Sequence, residues 1–218
     1  DSRVQSSKLL VHAIKTIPKH ITTFISASAI GWYGPDTETS LQNGFVETDP
    51  MDPSYLGTTC GVWEASVQEI ATLGIRLVIT RIGIVLNKRG GALKAMLIPA
   101  RLGCATIFGH GNQRVSWIHQ KDLSQLFVFA IENKQVQGIY NAVAPESITN
   151  KKLVTILAKK AIGFSIPISV PSFLLRLIMG EMSIEILKSA HVSSKKIQEA
   201  GFVFQYPTID QAIEQILH

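Results

Sequence analysis

Long hydrophobic runs are missing from this sequence: no stretch of 18 or more residues is uninterruptedly apolar. The nearest candidate, 172–182, is shorter than a membrane span and contains Arg176 and Glu181. The first eight residues lack the basic segment and apolar core of a signal peptide. We therefore expect a protein that does not enter a membrane and that works in the cytoplasm.

Cysteine is scarce and metal-ligand spacing is absent. Cys60 and Cys104 lie far apart, which favours two free thiols in a reducing compartment over a disulfide. The six histidines form no His-x-x-x-His pair and no cluster with cysteine. We therefore expect no metal site.

Concentrated positive charge is also missing, although the formal net charge is +5. The basic residues are scattered, and no aromatic residues alternate with a basic stripe, as they do in nucleic-acid-binding surfaces. We expect a solvated surface and no nucleic-acid partner. A small anionic ligand, such as the phosphates of a dinucleotide, would use only a few of these charges.

Three apolar, β-branched segments predict buried strands, at 21–27, 75–86 and 138–144. Helical spacing of apolar residues predicts the remaining elements, at 2–16, 54–74, 91–103, 121–133, 149–161, 172–188, 193–200 and 207–217. Residues 36–53 and the proline-containing segment 167–171 are predicted to be loops.

Alternating strands and helices indicate an α/β fold with a parallel sheet. A doubly wound sheet usually has five to seven strands, and the sequence also lacks a Gly-rich strand–turn–helix that would bind a pyrophosphate. We therefore expect the C-terminal half of a Rossmann-like domain at 1–165 and a small, mostly helical domain at 166–218. Such a chain would be a fragment or the product of a late-starting reading frame. Its incomplete sheet predicts self-association through an open edge.

Short motifs occur in a fixed order along the chain: SRVQSSKLLVHAI, ISASAIGWYG, VWE, TRIGIVL followed by GGAL, LIPARLG, SWIHQKDL and YNAVAPESITN. Together they resemble an atypical branch of the extended short-chain dehydrogenase/reductases. This is the epimerase family, described as NAD-dependent epimerase/dehydratase-like or nucleoside-diphosphate-sugar epimerase-like. Some of its members are called cell-division inhibitors. The tail from Gly180 resembles the C-terminal domain of unknown function that this branch carries.

The resemblance implies a catalytic contact at Ser28. In short-chain dehydrogenases a strand delivers a serine whose hydroxyl stabilises charge on the reacting group. Ser28 matches that position in SASA, whereas Ser26 is expected to be internal to the strand. The alternative is that Ser28 is a small residue beside which the cofactor can approach the backbone closely.

The Tyr-x-x-x-Lys pair that normally accompanies this serine is absent. In the resemblance, Leu56 and Cys60 occupy the tyrosine and lysine positions. Tyr55 is one residue away and is the candidate for a displaced proton donor, with loop packing as the alternative. Tyr33 is a second candidate phenol.

The resemblance implies NADP as the cofactor. Arg3 is the residue that would contact it, because a guanidinium suits phosphate and ribose oxygens. Gly83 permits close approach of a backbone, and the backbone of Val85 would lie against the nicotinamide end. Ser28 would also face this cofactor.

The segment 113–123 suggests one substrate contact and several structural residues. Asp122 is predicted in the first turn of a helix, where the helix dipole favours it. His119 and Trp117 are interpreted as structural. Arg114 and Gln113 lie where the polar groups of a substrate could be bound.

The first hypothesis is an NADP(H)-dependent oxidoreductase or epimerase-like enzyme that acts on an unidentified small molecule, with a nucleotide sugar as one candidate. The alternative is a non-catalytic nucleotide-binding or cell-division-related interaction protein, which the missing Tyr-x-x-x-Lys pair favours. A third reading is a partial sheet that binds no ligand and pairs through its edge.

Overall fold

A computed structural model describes residues 2–16, 21–180 and 182–218. The helices are α1 (Ser2–Thr16), α2 (Glu38–Asn43), α3 (Tyr55–Ala65), α4 (Glu69–Thr72), α5 (Gly91–Ala100), α6 (Gln120–Glu132), α7 (Asn150–Ile162), α8 (Ser172–Met179), α9 (Met182–Leu187), α10 (Lys195–Glu199) and α11 (Ile209–Leu217). The strands are β1 (Thr23–Ala29), β2 (Arg76–Ile82), β3 (Ile84–Leu86), β4 (Cys104–Phe108), β5 (Arg114–Val115), β6 (Trp117–His119), β7 (Gly138–Ala142), β8 (Ile148–Thr149) and β9 (Ile166–Val170). A 3-10 turn, Ile30–Trp32, follows β1.

The central sheet is parallel, in the order β1-β2-β7, and it contains all three strands predicted from the sequence. Successive residues of β2 point to opposite faces. Leu77 and Ile79 pack towards α1 and α4, whereas Val78 packs towards α6. Helices therefore cover both faces, which confirms the α/β, Rossmann-like fold class. The outer edge of β1 has no strand beside it in the described residues, so self-association through this edge stays a prediction.

The prediction of one continuous strand at 75–86 was wrong at Gly83. The chain leaves the central sheet there, and β3 pairs instead with β6. A Cβ atom at Gly83 would lie 2.7 Å from the carbonyl oxygen of Ser116 and 2.8 Å from a methyl carbon of Val143. Glycine thus lets the chain cross closely beside the segment that leads into β6.

The predicted loop at 167–171 was also wrong, because β9 forms there. It pairs in parallel with β4, and Pro167 stands opposite Ala105. This sheet has two strands in the described part of the chain, so β9 lies at an edge, where a residue without a backbone N–H is tolerated.

Helix boundaries differ from the prediction in two places. The helix expected over 54–74 is divided into α3 and α4, and the Ser66 hydroxyl donates to the carbonyl of Trp63 where α3 ends. Such local bonds compete with continuation of a helix. The loop expected at 36–53 contains α2, whose first turn is capped reciprocally by Thr37 and Ser40.

The C-terminal residues share hydrophobic cores with the rest of the chain. Ile209 and Ile213 of α11 pack in the same buried cluster as Trp117 of β6 and Leu153 of α7. The division into domains at residue 165 stays a prediction. None of the helices in the described residues combines the length and the apolar content that a membrane crossing requires.

Asp122 fixes the C-terminal segment to α6. It lies in the first turn of α6, as predicted, and is fully buried. Its two carboxylate oxygens accept hydrogen bonds from the backbone N–H groups of Gln205 (2.8 Å) and Tyr206 (3.0 Å). These bonds attach the chain just before α11 to the start of α6.

Asp122→Ala is expected to lower the free energy of unfolding by about 2–4 kcal/mol, because two hydrogen bonds to a buried, charged acceptor are lost. Urea denaturation followed by circular dichroism measures this. Glu132→Ala, at the exposed end of the same helix, is the control and should change it by less than about 0.5 kcal/mol. Equal effects of the two substitutions would contradict the role assigned to Asp122.

Candidate functional site

A buried row of polar side chains crosses the three central strands. The strand register aligns Ser28 of β1 with Arg81 of β2, and Arg81 with Asn141 of β7. Aligned residues of parallel strands point to the same face, so the three side chains are neighbours. All three are at least 98% buried. The sheet therefore carries a polar row through an otherwise apolar interior.

Glu64 of α3 neutralises this row. Its carboxylate accepts two hydrogen bonds from Arg81, Nε to Oε1 at 2.9 Å and Nη2 to Oε2 at 3.0 Å. The Ser28 hydroxyl donates to Oε1 of Glu64 at 2.7 Å. The guanidinium carbon of Arg81 also lies 3.7 Å from the ring centroid of Trp32. This bidentate pair places α3 and the 3-10 turn against the end of β2.

Tyr33 closes the other end of the row. Its hydroxyl donates to Oδ1 of Asn141 (2.7 Å) and accepts from Nη1 of Arg81 (3.1 Å). Burial raises the pKa of Tyr33 to about 12, although the positive charge of Arg81 and its hydrogen bond lower it. A phenol that is fully buried and holds its proton this tightly acts as a structural link. Tyr33 was the alternative proton donor in the sequence analysis, and it lines neither of the two cavities described for this chain.

Ser28 and Tyr55, the two predicted catalytic residues, are not brought together. Ser28 is bonded to Glu64, whereas Tyr55 begins α3 and is 80% exposed. Tyr55 and Glu64 are nine residues apart on one helix, which is about 13 Å along its axis. Neither Ser28 nor Tyr55 lines either of the two cavities described below. Their catalytic roles stay predictions.

The first cavity, which we call the α1 groove, lies between α1, β1 and α3, and its volume is about 320 Å³. Arg3, the predicted cofactor contact, lines it and stacks on Trp63, with the guanidinium carbon 4.8 Å from the ring centroid. Ser26 lines it as well. Arg3 and Ser26 thus line the same groove.

Gly83 and Val85, the other predicted cofactor contacts, line neither cavity. Gly83 is packed against the segment before β6, and the Val85 side chain packs into the core beneath α6. Ile84, between them, points the other way and lines the second cavity. The prediction for the Val85 backbone is not tested by this arrangement.

The second cavity, which we call the main cavity, has a volume of about 670 Å³. It opens beyond the C-terminal ends of the parallel strands, beside Ile30 and Gly31 after β1 and Ile84 after β2. One wall is the face of α5 that carries Ala95 and Met96. The C-terminal ends of parallel strands are where such sheets usually bind ligands.

A strap of residues, 188–194, contributes Lys188 and Ala190 to the wall of the main cavity. Asp36 holds it: Oδ1 accepts from the backbone N–H of His191 (2.7 Å) and Oδ2 from the hydroxyl of Ser189 (2.5 Å). The Ser116 hydroxyl donates to the carbonyl of Ala190 (2.8 Å). The strap is therefore bonded to Asp36, in the segment after β1, and to Ser116, which lines the cavity.

The main cavity contains one of the two predicted substrate contacts. Arg114 lines it, whereas Gln113 is buried and its amide donates to the carbonyl of Phe108. Lys188 also lines it, and sequence reasoning missed this residue because it follows a helix 74 positions after Arg114. The apolar face of α5 was predicted as part of a helix, but no sequence signal assigned it to a cavity.

His119 and Trp117 both have structural contacts. The Nδ1 atom of His119 accepts the backbone N–H of Lys121, and its ring lies 4.1 Å from the ring of Tyr206. Trp117 is fully buried. Within the described residues no group of three or more His, Cys, Asp or Glu side chains could hold a metal ion.

Comparisons with known proteins find two family matches. Residues 1–142 match the NAD dependent epimerase/dehydratase family, and residues 170–216 match a domain of unknown function (DUF1731). An epimerase family protein of Staphylococcus aureus is 35% identical over 99% of this chain and 71% of its own length. The epimerase family protein YfhF of Bacillus subtilis is 34% identical over 99% and 70%.

Solved structures agree with these matches. The human epimerase family protein SDR39U1 (isoform 2), crystallised with NADPH, has a TM-score of 0.92 and 28% identity over 99% of this chain and 72% of that one. The nucleoside-diphosphate sugar epimerase from Corynebacterium glutamicum has a TM-score of 0.78 and 27% identity, over 99% and 41%. The resemblance inferred from the motifs is confirmed.

Glu64→Gln is expected to lower the free energy of unfolding by about 3–5 kcal/mol, because it leaves the buried Arg81 without a counter-charge. The control is Glu69→Gln, which breaks an exposed ion pair with Lys15 and should change it by less than about 1 kcal/mol. Urea denaturation of the three proteins measures both. A Glu64→Gln effect no larger than the control would mean that the buried pair does not stabilise the fold.

Tyr33 predicts a loss of stability in alkali. Its folded pKa is about 12, against about 10 in the unfolded chain, so between these values the unfolded state releases a proton that the folded state keeps. The stabilisation is fully present below pH 10 and falls as the pH rises to 12, by about 2–3 kcal/mol in total.

The measurement is the free energy of unfolding at pH 9, 10 and 11. Tyr33→Phe should be less stable than the parent at pH 9 but should decline less steeply, since the titrating group is gone. Tyr55→Phe, which removes an exposed hydroxyl, should keep the parent's slope. Parallel slopes for the parent and Tyr33→Phe would exclude this contribution.

Proposed function

The chain belongs to the NAD dependent epimerase/dehydratase family, and from this premise we propose that it is an NADP(H)-dependent oxidoreductase or epimerase-like enzyme whose small substrate binds in the main cavity. One observation carries the proposal: a cavity of about 670 Å³ beyond the C-terminal ends of the parallel strands. Its volume lies within the roughly 300–1,000 Å³ of small-molecule sites.

NADP(H) is the cofactor that we propose, and the α1 groove is where this chain would contact it. Arg3 supplies a guanidinium for a phosphate or ribose oxygen, and Ser26 adds a hydroxyl beside it. These groups fit part of a dinucleotide. The related human structure contains NADPH, whereas two more distant structures of the same fold contain NAD. When bound, the nicotinamide would supply hydride transfer.

Ser28 and Tyr55 remain the proposed catalytic residues, and each of them would need a particular arrangement in order to act. The Ser28 hydroxyl would have to turn from Glu64 to contact a ligand, because its proton is committed to that carboxylate. Tyr55 would act only on a ligand that reaches the exposed start of α3.

The alternative is a non-catalytic nucleotide-binding or interaction protein. It is supported by the placement of the two candidate phenols, since Tyr33 is locked in the interior and Tyr55 lies on the surface without a lysine four positions later. Turnover distinguishes the two. NADPH oxidation in the presence of candidate carbonyl substrates favours the enzyme, and NADPH binding without any turnover favours the alternative.

Arg3→Gln is expected to weaken NADPH binding about tenfold, because it removes a charge-assisted hydrogen bond. Fluorescence titration of NADPH measures this, on the 218-residue chain and on a version extended through the upstream reading frame. Lys8→Gln, which removes a positive charge elsewhere on the exposed surface of α1, is the control and should leave the affinity within about twofold.

The titration has two contrary outcomes. If neither protein binds NADPH, the cofactor proposal is wrong. If NADPH binds but Arg3→Gln and Lys8→Gln behave alike, Arg3 is not a specific contact and the α1 groove is not the cofactor site.

A further inference from the structure

Apolar side chains make up most of the wall of the main cavity. They come from the turn after β1, from three strands and from helices α5 and α7: Ile30, Ile84, Met96, Phe108, Val115 and Val154. Such a wall stabilises a ligand that buries apolar surface, in proportion to the apolar area removed from water. The apolar part of the wall offers nothing to a hydroxyl group, which must give up its bonds to water without replacement.

Two neutral polar side chains of this wall already make hydrogen bonds within the protein. The Ser116 hydroxyl donates to the carbonyl of Ala190 and accepts from the N–H of Val192. Oδ1 of Asn150 accepts from the N–H of Phe108. The other neutral polar groups of the lining are the Thr106 hydroxyl and the amide N–H groups of Asn150. A sugar with several hydroxyls would therefore find few donors and acceptors here. Leaving even one buried polar group unpaired disfavours binding strongly.

The charged groups of the wall are both cationic. Arg114 and Lys188 line the cavity, and no Asp or Glu does so within the described residues. The Nη1 atom of Arg114 lies 3.4 Å from the hydroxyl of Ser147, and within the same residues Arg114 makes no ion pair. Nζ of Lys188 donates to the carbonyl of Tyr33 at 3.1 Å. A guanidinium without a carboxylate partner, facing an apolar cavity, favours an anionic ligand.

We infer that the main cavity binds a small amphipathic acid, with an apolar body against α5 and a single carboxylate at Arg114. This names the substrate class and rests on the proposed function only in taking the main cavity as the substrate site. A nucleotide sugar, with a diphosphate and many hydroxyls, is disfavoured by the same wall.

Decanoate is the probe, because it combines an apolar chain with one carboxylate. Isothermal titration calorimetry of the chain, without NADPH, should show binding to one site. Arg114→Gln should weaken it about tenfold or more, since a charge-assisted bond is lost. Arg101→Gln, the same substitution at the exposed end of α5, should leave the affinity within about twofold. Arg114→Lys, which keeps the charge, should bind decanoate more tightly than Arg114→Gln.

A second variant tests the cavity rather than the charge. Ala95 lies on the cavity wall and is exposed, so Ala95→Phe places a ring in the cavity without disturbing the core. It should abolish decanoate binding while the urea midpoint stays unchanged. In the parent, 1-decanol, which is neutral, should bind at least tenfold more weakly than decanoate.

The inference is overturned if decanoate does not bind, if Arg114→Gln and Arg101→Gln lose equal affinity, or if decanoate binds undiminished to Ala95→Phe. It is also overturned if UDP-glucose binds more tightly than decanoate and Ala95→Phe abolishes that binding. The NADPH titration is a separate readout. Loss of NADPH binding with intact decanoate binding would refute the cofactor proposal and leave this inference standing.

Discussion

A buried cation in the middle strand is the constraint on which the rest of this structure depends. Arg81 lies on β2, flanked by strands on both sides, and is removed from water. An uncompensated charge in such a place would cost several kcal/mol, so Glu64 must be delivered from α3. Trp32 covers the guanidinium, and Tyr33 bonds to it. The segment that follows β1 is thereby fixed in place, and with it the neighbouring wall of the main cavity.

The same segment connects the two parts of the chain that the family comparisons separate. Asp36, just after Tyr33, binds the strap at Ser189 and His191, and Asn141 at the end of β7 donates to the carbonyl of Ser193. The regions matching the epimerase/dehydratase family and the domain of unknown function therefore meet over one cavity. A substitution that breaks the buried polar row should therefore shift both the segment after β1 and the strap, which contribute to the wall of the main cavity. Stability and ligand binding are coupled in this way.

The sequence predicted the features that depend on local patterning and missed those that depend on contacts between distant residues. The strand at β2 follows from its β-branched residues, and Arg114 follows from a motif. Glu64 and Arg81 are 17 positions apart and meet only because α3 packs beside a sheet of fixed register. The crossing at Gly83 depends on the carbonyl of Ser116, which lies close beside it. The strand that contains Pro167 depends on an edge of a sheet where no backbone N–H is needed. Neither feature can be recognised from the periodicity of the sequence.

Similarity of fold indicates where a ligand binds in a protein of this family, but it says less about which ligand binds there. The chain superimposes on the human relative with a TM-score of 0.92 at 28% identity, and sheets of this kind place their ligands at the C-terminal ends of the strands. Selectivity comes instead from the side chains that line the cavity. Here those are the apolar face of α5 and two cations, Arg114 and Lys188. A sugar-binding site would need unoccupied polar side chains in their place, so on this chain the cavity wall is better evidence for the substrate class than the family name.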